Sequence, residues 1–168
     1  MRVTGSGLLK AFSQSYPDAN AALETWREHM RSRPFTSFSD LRSMFGSVDV
    51  VGNRFVFDIR GNRYRLITGI DFTRQCCCVK AVLTHAQYDR RQWMKQAMIK
   101  EAPVDTWVQP DFLADRRPLS THAEYDLAMS VMDNLIEHGA MHEAHPSNSL
   151  YATLFDIIHD FEEVHFPP

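Results

Sequence analysis

The 168-residue sequence predicts an α+β fold class, with N-terminal helices on a small antiparallel sheet followed by an all-helical segment. Three observations carry this expectation. Apolar residues recur at helical spacing up to about residue 46, β-rich runs around tight turns fill residues 54–83, and helical spacing returns behind a capping-box pattern near residue 121. The charge divides along similar lines. Residues 1–97 hold 15 Lys/Arg and 8 Asp/Glu, a net of +7, whereas residues 98–168 hold 3 and 13, a net of −10. A basic piece concentrates polyanions such as RNA, and an acidic piece in the same chain competes for that surface at high effective concentration.

Each element has a local reason. Met1–Thr4 reads as a short strand and Leu8–Ser15 as a helix. Pro17 suits the first position of a second helix, whose stripe is Ala19, Ala22, Leu23, Trp26 and Met30. Ser37–Leu41 predicts a further short helix ending near Gly46. The runs Arg54–Arg60 and Arg63–Thr68 flank Gly61-Asn62, a strong hairpin signal, and a third strand is expected over Cys76–Leu83. Thr84–Asp89 starts a helical turn. Residues 90–111 read as a connector, with Pro103 and Pro110 as breakers and Trp93, Met94, Trp107 and Phe112 as surface anchors. Beyond it, Thr121 and Glu124 form the ends of a capping box ahead of the stripe Tyr125, Ala128, Met132, Leu135 and Ile136, with Gly139 as the stop. A second helix from about Asn148 carries Leu150, Leu154, Ile157, Ile158 and Phe161.

Composition narrows the function classes. At 44% hydrophobic residues the chain is globular, and no apolar run approaches the ~20 residues that span a bilayer. The start lacks a signal-peptide core, so a cytoplasmic location is the expectation. The three cysteines, Cys76, Cys77 and Cys78, are consecutive and suit neither a disulfide nor a tetrahedral metal site, so they are expected to pack as small hydrophobes. No metal or cofactor is expected.

A two-residue loop at Gly61-Asn62 sets the hairpin register: Arg60 opposite Arg63, Asp58 opposite Arg65, Val56 opposite Ile67, Ile59 opposite Tyr64 and Phe57 opposite Leu66. One face is then apolar and the other gathers three arginines, either as a phosphate cradle or as a solvated face with one Asp–Arg pair. Lys80, His85 and Tyr88 at the exit of the third strand favour the cradle. Metal-free RNA cleavage needs a base for the 2′-OH, a cation at the phosphorus and an acid for the leaving 5′-oxygen, and these residue types supply all three. His85 also has a plain reading as a helix-start residue bonding backbone. Thr121–Asp126 repeats the pattern of Thr84–Asp89 through shared capping chemistry, and His122 is given no catalytic role.

Residues 1 to about 97 resemble the HigB-type toxins of bacterial type II toxin–antitoxin systems. The motifs are Met1-Arg2-Val3-Thr4, Tyr16-Pro17, Trp26, Gly52-Asn53-Arg54, Phe57-Asp58-Ile59, Gly61-Asn62-Arg63-Tyr64-Arg65 and Thr84-His85-Ala86-Gln87-Tyr88-Asp89. Residues 98–168 resemble the N-terminal half of HigA-type antitoxins, through Thr121-x-x-Glu124-Tyr125-x-x-Ala128, Leu154–Ile158 and Phe161-Glu162. The resemblance implies a RelE/ParE-like toxin fold and ribosome-dependent cleavage of mRNA, neutralised by the antitoxin. It implies catalytic roles for Arg65, Lys80, His85 and Tyr88. Arg54, Arg60, Asn62 and Arg63 are the candidate RNA- and phosphate-binding residues. Gln87 stands where the family usually has Glu, and the sequence stops before the usual helix-turn-helix, so operator DNA binding is not expected.

The leading expectation is a toxin–antitoxin fusion, with the acidic helices covering the basic toxin surface in cis or by exchange between chains, and a homodimer as one form. The alternatives are a catalytically inactive antidote that titrates a cognate toxin or antitoxin, and an RNA-binding adaptor with a nucleic-acid-mimicking tail.

Overall fold

The computed structural model describes residues 1–95 and 110–167, which fall into two compact units, Met1–Gln92 and Trp93–Pro167. The expected boundary at residues 97/98 and the calls on Met98, Pro103 and Trp107 lie outside the described residues.

The first unit opens with β1 (Arg2–Thr4), α1 (Ser6–Ser15), a 3₁₀ turn (Pro17–Ala19), α2 (Asn20–Ser32) and α3 (Phe38–Met44). Pro17 thus opens a 3₁₀ turn and not α2 itself. The sheet strands β2 (Asp49–Val51), β3 (Arg54–Ile59), β4 (Tyr64–Asp71) and β5 (Cys76–Thr84) follow, and α4 (His85–Asp89) closes the unit. The strand order is β1-β5-β4-β3-β2. β1 lies parallel to β5, with Arg2 beside Cys76, and the other pairs are antiparallel. The edge strand β2 was not foreseen, because three residues are too short to show a period.

The helices cover one sheet face. Leu23, Trp26 and Met30 of α2 join Phe57, Ile59, Tyr64, Leu66, Cys77, Val79 and Val82 in one buried cluster. All three cysteines are buried thiols packing as small hydrophobes, and burial drives the Cys77 thiol far above its ordinary value. The turn from β1 into α1 needs Gly5: its φ is +93°, and a Cβ there would sit 2.5 Å from the Cβ of Val79.

The predicted hairpin register is observed for Val56–Ile67, Phe57–Leu66, Asp58–Arg65 and Ile59–Tyr64. The turn is longer than predicted. β3 ends at Ile59 and β4 starts at Tyr64, and Arg60, Gly61 and Asn62 all take positive φ, 53°, 60° and 73°. Arg60 and Arg63 are therefore turn residues and not a cross-strand pair. β4 and β5 are interrupted by a bulge: Thr68 pairs with Val79 and Ile67 with Ala81, leaving Lys80 as the extra residue.

In the second unit α5 (Gln92–Lys95) straddles the division, and α6 (Asp111–Ala114), α7 (His122–Glu137) and α8 (Asn148–His165) follow. Its described residues form helices and no strand. α7 packs on α8 through Tyr125, Ala128, Met132, Leu135 and Ile136 against a broad α8 face of Tyr151, Leu154, Phe155, Ile158 and Phe161, all buried. Of the expected α8 stripe, Leu150 is only half-buried, since Tyr151 takes the inner position. The Tyr125 hydroxyl donates to the buried Glu162 carboxylate at 2.6 Å. Gly139, φ +81°, ends α7, and Asn148 Nδ2 donates to the Ala140 carbonyl at 2.9 Å to start α8. No helix among the described residues is long and apolar enough to cross a membrane.

Candidate functional site

The hairpin register places Arg65 on the sheet face away from the helices, directly opposite Asp58. Its guanidinium Nη1 lies 2.8 Å from Asp58 Oδ1 and donates to the Asn62 carbonyl at 3.2 Å. The side chain is only 12% exposed, so Asp58 offsets a charge that water alone would solvate poorly. The guanidinium carbon Cζ lies over the Tyr88 ring, 5.5 Å from the centroid.

Tyr88 comes from α4, which packs on β4 and β5. A complete capping box starts this helix: Thr84 Oγ1 accepts from the Gln87 N–H and Gln87 Oε1 accepts from the Thr84 N–H at 2.9 Å. Gln87 is thereby committed to holding the helix start. Burial pushes the Tyr88 hydroxyl above its ordinary value, against the lowering effect of Arg65, and the Asp49 carboxylate adds to the rise. The phenol is therefore protonated at neutral pH.

His85, Tyr88 and Asp89 share a face of α4 through i, i+3 and i+4 spacing. His85 Nδ1 lies 2.8 Å from Asp89 Oδ2, a side-chain contact instead of the backbone bond that its position suggested. Donation from Nδ1 to Asp89 leaves Nε2 as the unprotonated nitrogen of a half-exposed ring. Lys80 joins the same sheet face through the bulge. Val79 and Val82 both enter the core, so the two residues between them fall on the outer side, with Lys80 three residues, about 10 Å, along β5 from Leu83, the partner of Arg65.

The candidate phosphate-binding residues divide. Arg60 and Arg63 do not join Arg65; both reach Asp18 of the 3₁₀ turn, Arg63 at 3.0 Å, and Tyr64 donates its hydroxyl to the same carboxylate at 2.8 Å. Like charges on the turn thus find a shared counter-charge on the helix side, which draws them off the outer face. Asn62 contributes its carbonyl to Arg65 while its side chain is exposed at the turn tip. Arg54 is 2% exposed within β3.

Sequence reasoning missed three carboxylates. Asp89 was legible as the i+4 partner of His85. Asp18 and Asp49 were not, because their partners lie 39 or more residues away in sequence and only the fold joins them.

Family comparison now bears on this geometry. The sequence model of the HigB toxin family, described as the RelE-like toxic component of a toxin-antitoxin system, matches residues 19–91. Those residues form a HigB-like toxin domain. The HigB-like domain is also similar to the mRNA interferase toxin HigB of Escherichia coli (strain K12), 27% identical over 84 residues that cover 48% of this chain and 81% of that protein. The mRNA interferase HigB of Shigella flexneri matches with the same identity and coverage. The mRNA interferase HigB of Escherichia coli O6:H1 (strain CFT073) is 26% identical over 93 residues, 54% of this chain and 90% of the relative. The matched stretch holds all of β2 to α4, and with them Arg65, Lys80, His85 and Tyr88.

Proposed function

We propose that the chain is a toxin–antitoxin fusion: a metal-independent, ribosome-dependent mRNA endonuclease unit followed by a helical antitoxin segment that restrains it. The observation that carries the reading is the Arg65–Tyr88 stack beside the His85–Asp89 pair on a HigB-like domain. In the proposed reaction His85 Nε2 accepts the 2′-OH proton as that oxygen attacks phosphorus. Arg65 and Lys80 balance the charge gathering on the phosphoryl oxygens. Tyr88, kept protonated, donates to the leaving 5′-oxygen, giving a 2′,3′-cyclic phosphate and a free 5′-OH. Asp58 and the Asn62 carbonyl hold the Arg65 fork in place, and Asp89 holds the imidazole tautomer.

The acidic C-terminal residues support the inhibitory half of the reading through charge complementarity with the net +7 of residues 1–97. Expression of residues 1–97 should arrest growth and cleave translated mRNA, and the full chain should do little of either. Arg65→Ala and Tyr88→Phe in the fragment should relieve the arrest. A folded 1–97 fragment that neither binds ribosomes nor cuts mRNA removes the enzymatic half. If that fragment still captures a cognate toxin or antitoxin, the molecule is an antidote instead.

A further inference from the structure

The β3–β4 turn carries a group of side chains that the reaction above does not use. Asp18 of the 3₁₀ turn places one carboxylate oxygen, Oδ2, between two guanidinium groups: Arg63 Nη1 donates to it at 3.0 Å, and Arg60 Nη1 bonds it as well. The other oxygen, Oδ1, accepts from the Tyr64 hydroxyl at 2.8 Å. Two positive charges therefore share one negative charge, and Asp18 is the only carboxylate that either arginine reaches among the described residues. Each arginine uses Nη1 alone in this contact, so Nη2 and Nε of both forks remain for another acceptor. The two side chains are 42% and 64% exposed, open to a ligand from solvent. The group is left with a net charge of one.

The frame that holds the group is rigid. Tyr64 is buried, its ring 5.2 Å from Phe12 and 5.6 Å from Tyr16, and the Phe12 and Tyr16 rings stack at 4.6 Å. The Asp18 carboxylate is thus anchored to an aromatic cluster. Arg60 takes a φ of +53° and Asn62 one of +73°, the left-handed region that residues other than glycine rarely enter. The Arg63 N–H closes the turn on the Arg60 carbonyl at 3.4 Å, so both guanidinium groups start from one fixed loop. Backbone strain of this kind persists where the surroundings over-determine it, and it clusters at ligand clamps.

We propose that Arg60 and Arg63, brought together by Asp18, clamp one RNA phosphodiester at the hairpin tip, a subsite separate from the reacting phosphate at Arg65. A phosphodiester carries the single negative charge that balances the surplus, and guanidinium forks match its two free oxygens. Placement favours the same strand that is cut. The Asn62 carbonyl of this turn accepts from Arg65 Nη1 at 3.2 Å, and Arg63 precedes Arg65 by two residues, at most about 7 Å of chain. A strand with its reacting phosphate at Arg65 therefore meets the clamp as it crosses the tip. The choice of RNA as the ligand rests on the function proposed above.

The test measures binding of the full chain to a labelled single-stranded RNA oligonucleotide between about 50 and 300 mM salt. Arg60→Gln with Arg63→Gln should weaken binding about fivefold at about 100 mM salt and flatten the log–log salt slope by about 0.7, the value for one phosphate. Asp18 cancels one arginine, so either single variant, R60Q or R63Q, leaves the group neutral and should already lose most of what the pair loses. Each single variant also keeps one ion pair to Asp18, and with it the fold. Arg60→Lys with Arg63→Lys keeps the charge but not the forks, and should keep most of the slope while losing part of the affinity. Lys10→Gln with Arg42→Gln removes the same charge from α1 and α3 and should change the slope less. Variants that melt at a lower temperature yet bind RNA as the wild type does make the clasp structural and overturn the proposal. So do equal effects from both glutamine pairs, single losses that simply add, or no RNA binding by the full chain. If R60Q/R63Q weakens binding of a poly-glutamate peptide but not of RNA, the clamp serves an acidic protein and the proposal falls as well. The readout is binding, so a 1–97 fragment that fails to cleave leaves this result standing, and failure here leaves cleavage at Arg65 and Tyr88 untouched.

Discussion

In the proposed reaction Arg65 can serve a phosphate only while Asp58 holds its fork without consuming it. The 2.8 Å ion pair occupies one Nη edge, and the guanidinium carbon lies over the Tyr88 ring. Arg65→Ala should lower cleavage by the 1–97 fragment about 10²–10³-fold. Arg65→Lys should recover little of it, because a point charge keeps neither the fork nor the stack. Tyr88→Phe keeps the ring and removes the proton, so single-turnover cleavage should fall about 10²–10⁴-fold while RNA affinity changes little. Because burial raises the Tyr88 hydroxyl, its acid form persists above the ordinary tyrosine value, and the alkaline limb of the rate profile should lie above pH ~10. An alkaline limb near pH 8 would assign the proton to another group. The Asp58–Arg65 pair was legible because register follows directly from the turn and the period-2 pattern. The burial of Arg54 was not, since an arginine at a strand start looks the same in sequence whether covered or exposed.

At the level of elements, the bulge at Lys80 and the corner at Gly5 set where strands present their side chains. Gly5→Ala must place a methyl against Val79 at a φ of +93°, and should destabilise the first unit by about 2–4 kcal/mol. Its melting temperature should fall by about 10 °C or more, read by circular dichroism. The helical unit carries a different sensitivity. Arg117 bonds the Glu124 carboxylate at 2.5 and 3.3 Å, and the Ser120 N–H donates to it at 2.7 Å, which together hold Glu124 down at about 2. A depressed carboxylate stabilises the fold above its unfolded value near 4.5 and loses that contribution as pH falls towards 2. Helicity of the wild type should therefore weaken across pH 4.5 to 2, and Glu124→Gln should lower stability at neutral pH and flatten that acid limb. An equally steep limb in Glu124→Gln would assign the acid sensitivity elsewhere. Helix stripes and caps were legible from spacing and capping residues. The bulge was not, because one extra residue in β5 is decided by Val79 and Val82 both seeking the core.

At the scale of the whole molecule, the two compact units divide at residues 92/93, close to where the charge changes sign. The unfavourable convergence of Arg60 and Arg63 was visible in sequence, whereas its relief by Asp18 depends on a helix 42 residues upstream. Residues 1–97 released from the acidic helices should bind RNA with a steeper salt dependence than the full chain, as measured by fluorescence anisotropy, and equal slopes would show that the acidic segment leaves the basic surface open. The parallel pairing of Arg2–Thr4 with Cys76–Cys78 has a further result during synthesis. The strand Arg2–Thr4 must wait for one more than seventy positions later before it finds its neighbour. Completion of the sheet is therefore deferred until β5 has cleared the exit tunnel, and by then translation of the following acidic stretch is already under way.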